Sequence, residues 1–251
     1  MFENIVVIKI GTGVLTRELD GTLDEASLVR LVTSVSELVA SGVPCVMVSS
    51  GAVGAGVSAL KLDGYPDDTA SRQACAAVGQ TRLMHAYENL FQKFRLNVAQ
   101  ILLSAADLDH KNPSDLVMNT LHRLLKEKNI VPIINENDSV AVEELRVGDN
   151  DMLSAKVARM LGARMLVMLS TVDGLQRSDG SVINQVDDID TVVEHVRSDH
   201  GKFSIGGMES KLKAVRFALD AGVETVIAGG RKPSTLASIV SGGAGGTRFS
   251  L

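Results

Sequence analysis

Six short apolar runs rich in β-branched residues, separated by stretches with helical spacing, constrain what this chain can fold into. The runs are Ile5 to Ile8, Cys45 to Val48, Val98 to Leu103, Ile130 to Ile134, Met165 to Leu169 and Val223 to Ala228. Continuous apolar runs of this length read as strands buried on both faces, the pattern of a parallel sheet. Between the first two lies Asp24 to Ala40, where Leu28, Leu31, Val32, Val35, Leu38 and Val39 recur at helical intervals. Asp24 is placed to cap that helix and Gly42 to stop it. Strand, helix, strand is a βαβ unit. Its repetition predicts an α/β three-layer sandwich with a largely parallel central sheet, and the 251 residues fit one large domain, 1–251.

In such sheets ligands lie beyond the carboxyl ends of the strands, so the residues that follow each run carry the functional signal. Here they are small and polar: Lys9 and Gly11-Thr12-Gly13 after the first run, Ser49 to Gly54 after the second, Asn135-Glu136-Asn137-Asp138 after the fourth, Ser170-Thr171 after the fifth, Gly229-Gly230 after the last. Five strand ends are thus expected to share one rim. The charged, weakly periodic stretch from Gln176 to Lys202 suits a mobile flap over that rim more than another core layer.

Four segments could carry chemistry. Lys9 interrupts a buried strand, where an unpaired ammonium is costly, and the glycines after it leave room for an anion to approach the backbone. Ser49-Ser50-Gly51-Ala52-Val53-Gly54-Ala55-Gly56 is a strand-to-helix turn with backbone N–H groups free for an anion, or else an ordinary glycine-rich connection; it is neither a Walker A loop nor a dinucleotide fingerprint. Asn135 to Asp138 and Gly148-Asp149-Asn150-Asp151 form two polar clusters on the same rim. Amides and carboxylates together can hold the ammonium and α-carboxylate of an amino acid. Gly206-Gly207-Met208-Glu209-Ser210-Lys211 opens a helix with a glycine pair and a lysine on its first turn, a phosphate-binding arrangement or a plain helix entry.

Other classes are disfavoured. A net charge of −5 provides no broad basic surface, so nucleic acid is not an expected partner. No apolar stretch approaches the roughly 18 residues of a membrane span, and the N-terminus has no leader pattern, which reads as a cytoplasmic protein. Cys45 and Cys75 are the only cysteines, too few for a disulfide framework, and the five histidines show no metal-ligand spacing, so no protein metal site is expected.

Taken in order, VVIKIGTGVL, VSSGAVGAG, AAVGQ, INENDSV, VGDNDMLSA, LSTVDGL, IGGMESK and GGTRF resemble the amino acid kinase family along nearly the whole chain. The pairing of INENDSV with VGDND resembles the branch that phosphorylates glutamate. The resemblance implies the amino acid kinase fold, with an N-terminal half that binds L-glutamate and a C-terminal half that binds ATP accompanied by Mg²⁺. It implies that Lys9 and Lys211 neutralise the transferring phosphoryl group, and that Ser50, Gly51, Asn135, Asp138 and Asn150 lie on the glutamate side. Asp149 and Asp151 adjoin that side and would orient a lysine or a magnesium-bound water. Gly11, Ser170, Thr171 and the loop Ile205, Gly206, Gly207, Met208, Glu209, Ser210, Lys211 would contact the nucleotide. Many relatives carry a C-terminal PUA domain, and this chain is expected to act without one. Further expectations are a homo-oligomer, as the family forms dimers or tetramers, and inhibition by L-proline, the end product of the implied pathway. The rival readings are a sister kinase acting on another carboxylate and a non-catalytic module that senses glutamate or proline.

Overall fold

The computed structural model describes residues 4–17, 21–140, 149–177, 179–192, 205–231 and 235–250. Strands β1 (Val6–Ile10), β2 (Cys45–Val48), β3 (Asn97–Leu103), β4 (Ile130–Glu136), β5 (Met165–Ser170), β6 (Gln185–Val186), β7 (Glu224–Gly229) and β8 (Thr247–Phe249) form one eight-stranded sheet in the order β3-β4-β2-β1-β5-β7-β8-β6. Every pairing is parallel except β7 with β8. Crossing between them are α1 (Thr12–Leu15), α2 (Glu25–Ala40), α3 (Ala52–Ala59), α4 (Thr69–Phe91), α5 (Lys111–Leu125), α6 (Asp149–Leu161), α7 (Ile205–Leu219) and α8 (Thr235–Val240).

The two sides of the central strands feed two separate cores, whereas β3, expected to be buried on both faces, is an edge strand buried fully only at Leu103. Ile5 and Val7 of the first run pack with Leu153 and Val157 of α6 and Leu212 and Val215 of α7. Val6, Ile8 and Ile10 face the other way, against Leu28, Leu31 and Val35 of α2 and Leu83 and Tyr87 of α4. Successive side chains of a strand point to opposite faces, so a strand lined on both sides by helices must be apolar throughout. That is why these runs show no alternation. Helix α2 begins where Asp24 accepts from the backbone N–H groups of Ala26 and Ser27, and the chain turns out of it at Gly42, which holds φ +89°.

One expectation is corrected. The part of Gln176 to Lys202 that is described does not form a flap but extends the sheet edge. Gln176 bridges Val182, β6 pairs with β8, and Val186 and Ile189 are buried in the core beside α7. A two-residue strand leaves no readable periodicity, and the acidic residues around it lie on the solvent side. Residues 193–204 of that stretch lie outside the described residues.

Candidate active site

Lys9 shares the parity of Ile5 and Val7, so its side chain leaves β1 on the face covered by α6 and α7. Both helices supply a partner. Lys9 Nζ lies 2.6 Å from Asp151 Oδ1, and Lys211 Nζ lies 3.0 Å from Asp151 Oδ2. Lys211 also donates to the carbonyl of Gly207 at 3.3 Å. Lys9 is 5% exposed and Asp151 4%. The Lys9 contact is close without being a well-aligned hydrogen bond, so charge attraction holds it more than direction does. Burial pushes the Lys9 ammonium below its ordinary value of 10.5; Asp151 opposes that shift, and Lys211 adds to it. Two ammonium groups against one carboxylate leave a net positive charge in a place with little water, an arrangement suited to an anion.

A second group of residues is uncharged. From Gln100 on β3, a file of amides runs inward: Gln80 Nε2 donates to Gln100 Oε1 at 3.0 Å, and Asn135 Nδ2 donates to Gln80 Oε1 at 2.8 Å. Asn150 Nδ2 in turn donates to Asn135 Oδ1 at 3.2 Å and to Ser50 Oγ at 3.1 Å. The backbone N–H of Glu136 donates to that same Asn135 oxygen at 2.9 Å. Each amide therefore has its orientation set by a neighbour. Asn150 Oδ1 is buried and accepts nothing among the described residues, a state that a donor from a ligand would relieve.

These groups border a cavity of about 420 Å³, within the usual range for small-molecule sites. Lys9, Ser50, Gly51, Asp138, Asn150 and Asp151 line it. Gly51 caps α3 at φ +94°, a conformation that favours glycine, and so turns the N-terminus of the helix toward the cavity. Gly54 lines the cavity beside Tyr65, whereas Gly56, like Gly79 of α4, serves packing. An added Cβ at Gly56 would lie 1.9 Å from the Cys75 carbonyl oxygen, and one at Gly79 would lie 1.8 Å from that of Ala52. Helices α3 and α4 touch backbone to backbone there, which brings Arg72 and Gln80 of α4 to the site.

Of the remaining sequence candidates, Gly11 stands beside Lys9 and Gly207 beside Lys211. Gly11 leaves space beside the Lys9 ammonium, since a Cβ there would lie 3.7 Å from Nζ and 3.2 Å from the Leu169 carbonyl oxygen. Ser170 ends β5, and the Thr171 methyl stands close to Gly13. Neither Ser170 nor Thr171 lines the cavity. Gly207, Met208, Glu209, Ser210 and Lys211 occupy the first turns of α7; the side-chain surroundings of Ile205 and Gly206, like those of Asp149 at the head of α6, lie outside the described residues. Asn135 stands behind the cavity, gripping Asn150. Thr12, Tyr65, Arg72 and Glu136 line the cavity without having been singled out as site residues from the sequence. Thr12 within VVIKIGTGVL and Glu136 within INENDSV, like Gln80 within AAVGQ, sat in motifs that could have flagged them; Tyr65 and Arg72 sat in none.

Residues 4–229 match the model of the Amino acid kinase family. The chain is 39% identical over 253 residues to the glutamate 5-kinase of Clostridium acetobutylicum, an alignment covering 98% of this chain and 94% of the relative. It is 42% identical over 255 residues to the glutamate 5-kinase of Rippkaea orientalis, covering 98% and 69%. Among solved structures, the carbamate kinase of Giardia superposes with a TM-score of 0.69 at 17% identity over 98% of both chains. N-acetylglutamate synthase from Neisseria gonorrhoeae gives 0.72 at 16% identity over 99% of this chain and 59% of that one. At such identities the two structures speak for the fold alone.

Proposed function

The chain belongs to the amino acid kinase family, and on that premise we propose that it transfers the γ-phosphoryl group of ATP to the side-chain carboxylate of L-glutamate. The product is L-glutamyl 5-phosphate, the first intermediate on the way to proline. The observation that carries this reading is the meeting of Lys9 and Lys211 on Asp151, at the edge of a cavity whose other wall is Ser50, Asp138 and Asn150.

Attack of a carboxylate on a phosphate brings two anions together. The barrier is therefore mostly repulsion and positioning, and the protein needs cations and fixed geometry more than covalent chemistry. A carboxylate oxygen attacks Pγ, the bond from Pγ to the bridging oxygen breaks, and ADP departs with that electron pair. Glutamate is already ionised near pH 7, with a reference value of about 4.3, so no proton has to move and no general base is required. Lys9 and Lys211 offset the charge spreading over the phosphoryl oxygens. Asp151 holds both ammonium groups at one point so that neither has to be repositioned during the reaction.

On this reading Ser50, Gly51, Asn135, Asp138 and Asn150 hold the amino acid, and the N-terminal half forms that side. Gly11, Ser170, Thr171 and the stretch from Ile205 to Lys211 hold the nucleotide, with the C-terminal half. Among the described residues no cluster of three or more acidic, histidine or cysteine side chains could cage a metal ion, and both oxygens of Asp151 are taken by lysines. On this reading Mg²⁺ would accompany the nucleotide phosphates and supply positive charge at the reacting oxygens. A cytoplasmic location, a homo-oligomer and inhibition by L-proline belong to the same proposal; among the described residues, no helix is long and apolar enough to cross a membrane.

The deciding experiment incubates the protein with ATP, Mg²⁺ and a panel of acceptors, trapping acyl phosphate with hydroxylamine. Glutamate-dependent hydroxamate is expected. Hydroxamate with another carboxylate only would support a sister kinase, and none with any acceptor would support a sensing module.

A further inference from the structure

We infer that Arg72 binds the α-carboxylate of the amino-acid substrate and sets the preference for an α-amino acid over a simple amine-bearing carboxylate; this rests on the function proposed above. An acceptor of the glutamate type presents three charged groups. Its side-chain carboxylate must reach the phosphoryl end, where Lys9 stands. Its ammonium calls for anions and carbonyl oxygens, which Glu136, Asp138 and Asn150 supply around the same cavity. Its α-carboxylate calls for a cation, and among the described residues lining the cavity the only cations are Lys9 and Arg72. Asp151 already holds Lys9.

Arg72 is half-buried, and its guanidinium is held from one side. Its Nε donates to the carbonyl of Pro66 at 2.6 Å, and no carboxylate pairs with it among the described residues. The paired terminal nitrogens are thus left for a ligand. Two parallel N–H groups in a rigid plane match a carboxylate in a way that a lysine ammonium cannot. The backbone supports this placement from two directions. Arg72 lies on the first turn of α4, whose start is fixed by Asp68 accepting from the N–H of Ser71 at 2.9 Å. Helix α4 is in turn locked against α3, the helix that begins at the cavity wall, by the glycine contacts at Gly56 and Gly79. A guanidinium tied to the loop before its helix, on a helix that cannot slide, is a built anion site more than a solvated surface charge.

The test compares the wild-type protein with Arg72→Gln and Arg72→Lys, using L-glutamate and 4-aminobutyrate as acceptors at saturating ATP. 4-Aminobutyrate is glutamate without its α-carboxylate. Arg72→Gln is expected to raise the glutamate KM roughly 10- to 100-fold, the usual size for a lost hydrogen bond to a charged group. The KM for ATP should stay within about twofold, and use of 4-aminobutyrate should be unchanged, so that discrimination between the acceptors collapses. Arg72→Lys should recover part of the loss. A glutamate KM unchanged in Arg72→Gln would overturn the inference, and so would a rise in the ATP KM, which would assign Arg72 to the phosphates. Equal losses on both acceptors would make it a merely structural residue and overturn it too. Failure of the wild-type protein to phosphorylate glutamate would instead remove the proposed function itself.

Discussion

The two ends of the cavity are built from different materials. At the Lys9 end, three charged groups are compressed into one buried cluster held by distances of 2.6 and 3.0 Å. At the Asn150 end, the walls are oriented by neutral amides, each fixed by the next, from Gln100 through Gln80 and Asn135 to Asn150 and Ser50. On the proposed function, the contrast follows the chemistry demanded of each end. Charge that develops during phosphoryl transfer is stabilised best by full charges in a dry place, whereas recognition of an amino acid needs direction, which amides supply at lower desolvation cost. If that division is right, damage at the first end should fall on turnover, and damage at the second on affinity.

The largest effect is expected for Lys211→Ala, which removes a cation proposed to face the phosphates and should raise the barrier by on the order of 3 kcal/mol, about a hundredfold or more in kcat. Thermal unfolding should move little, because Lys9 still pairs with Asp151. An unchanged kcat in steady-state assays would break the comparison at its charged end.

Next comes Gly79→Ala, which forces a methyl group to within 1.8 Å of the Ala52 carbonyl oxygen. Spreading α3 from α4 should cost about 1–3 kcal/mol in urea or thermal unfolding and should raise the glutamate KM, since both Gln80 and Arg72 ride on α4. A protein as stable as wild type would show that the helices can part freely.

Gln80→Ala should cost roughly 1 kcal/mol in glutamate binding, about a fivefold rise in KM, with the ATP KM and kcat retained. Equal loss on both substrates would sink the idea that the amide file serves the amino acid alone.

The mildest test changes only where activity is lost with pH. Lys9 is held below its ordinary 10.5 by burial, with Asp151 opposing and Lys211 adding to the shift. Because the ammonium is the active form, turnover should fall as pH rises through that lowered value. Asp151→Asn removes the opposing charge, so the alkaline limb of the kcat profile should move to lower pH. A shift to higher pH would contradict the assigned cause.

The sheet and its polar rim were legible because the central strands, buried on both faces, cannot hide their apolar runs, and because polar residues directly after such runs have few structural uses. The lysines were legible for the same reason: Lys9 is an anomaly in a buried strand. Arg72 and Tyr65 were not, and Gln80 showed only through the motif AAVGQ. They sit on or before a 23-residue helix of weak amphipathic character, and nothing in their local spacing marks which residues approach a site made by other strands. The glycines of the second segment were legible as a tight place but not as to purpose, since backbone contact with a helix and backbone contact with an anion call for the same residue. The edge strand β6 was missed because two residues are too few to show a period.

By itself, then, the order of residues determined the layered architecture, the end of the sheet at which the small polar residues gather, and the family to which the chain belongs. Only the folded molecule decided that Lys9 and Lys211, 202 positions apart, share the one carboxylate of Asp151, and which residues of α4 reach the cavity. Patterns along a chain record whether each side chain is buried, which is a local property. Which distant groups meet is set by strand order and by how closely helices pack, and those depend on every element at once.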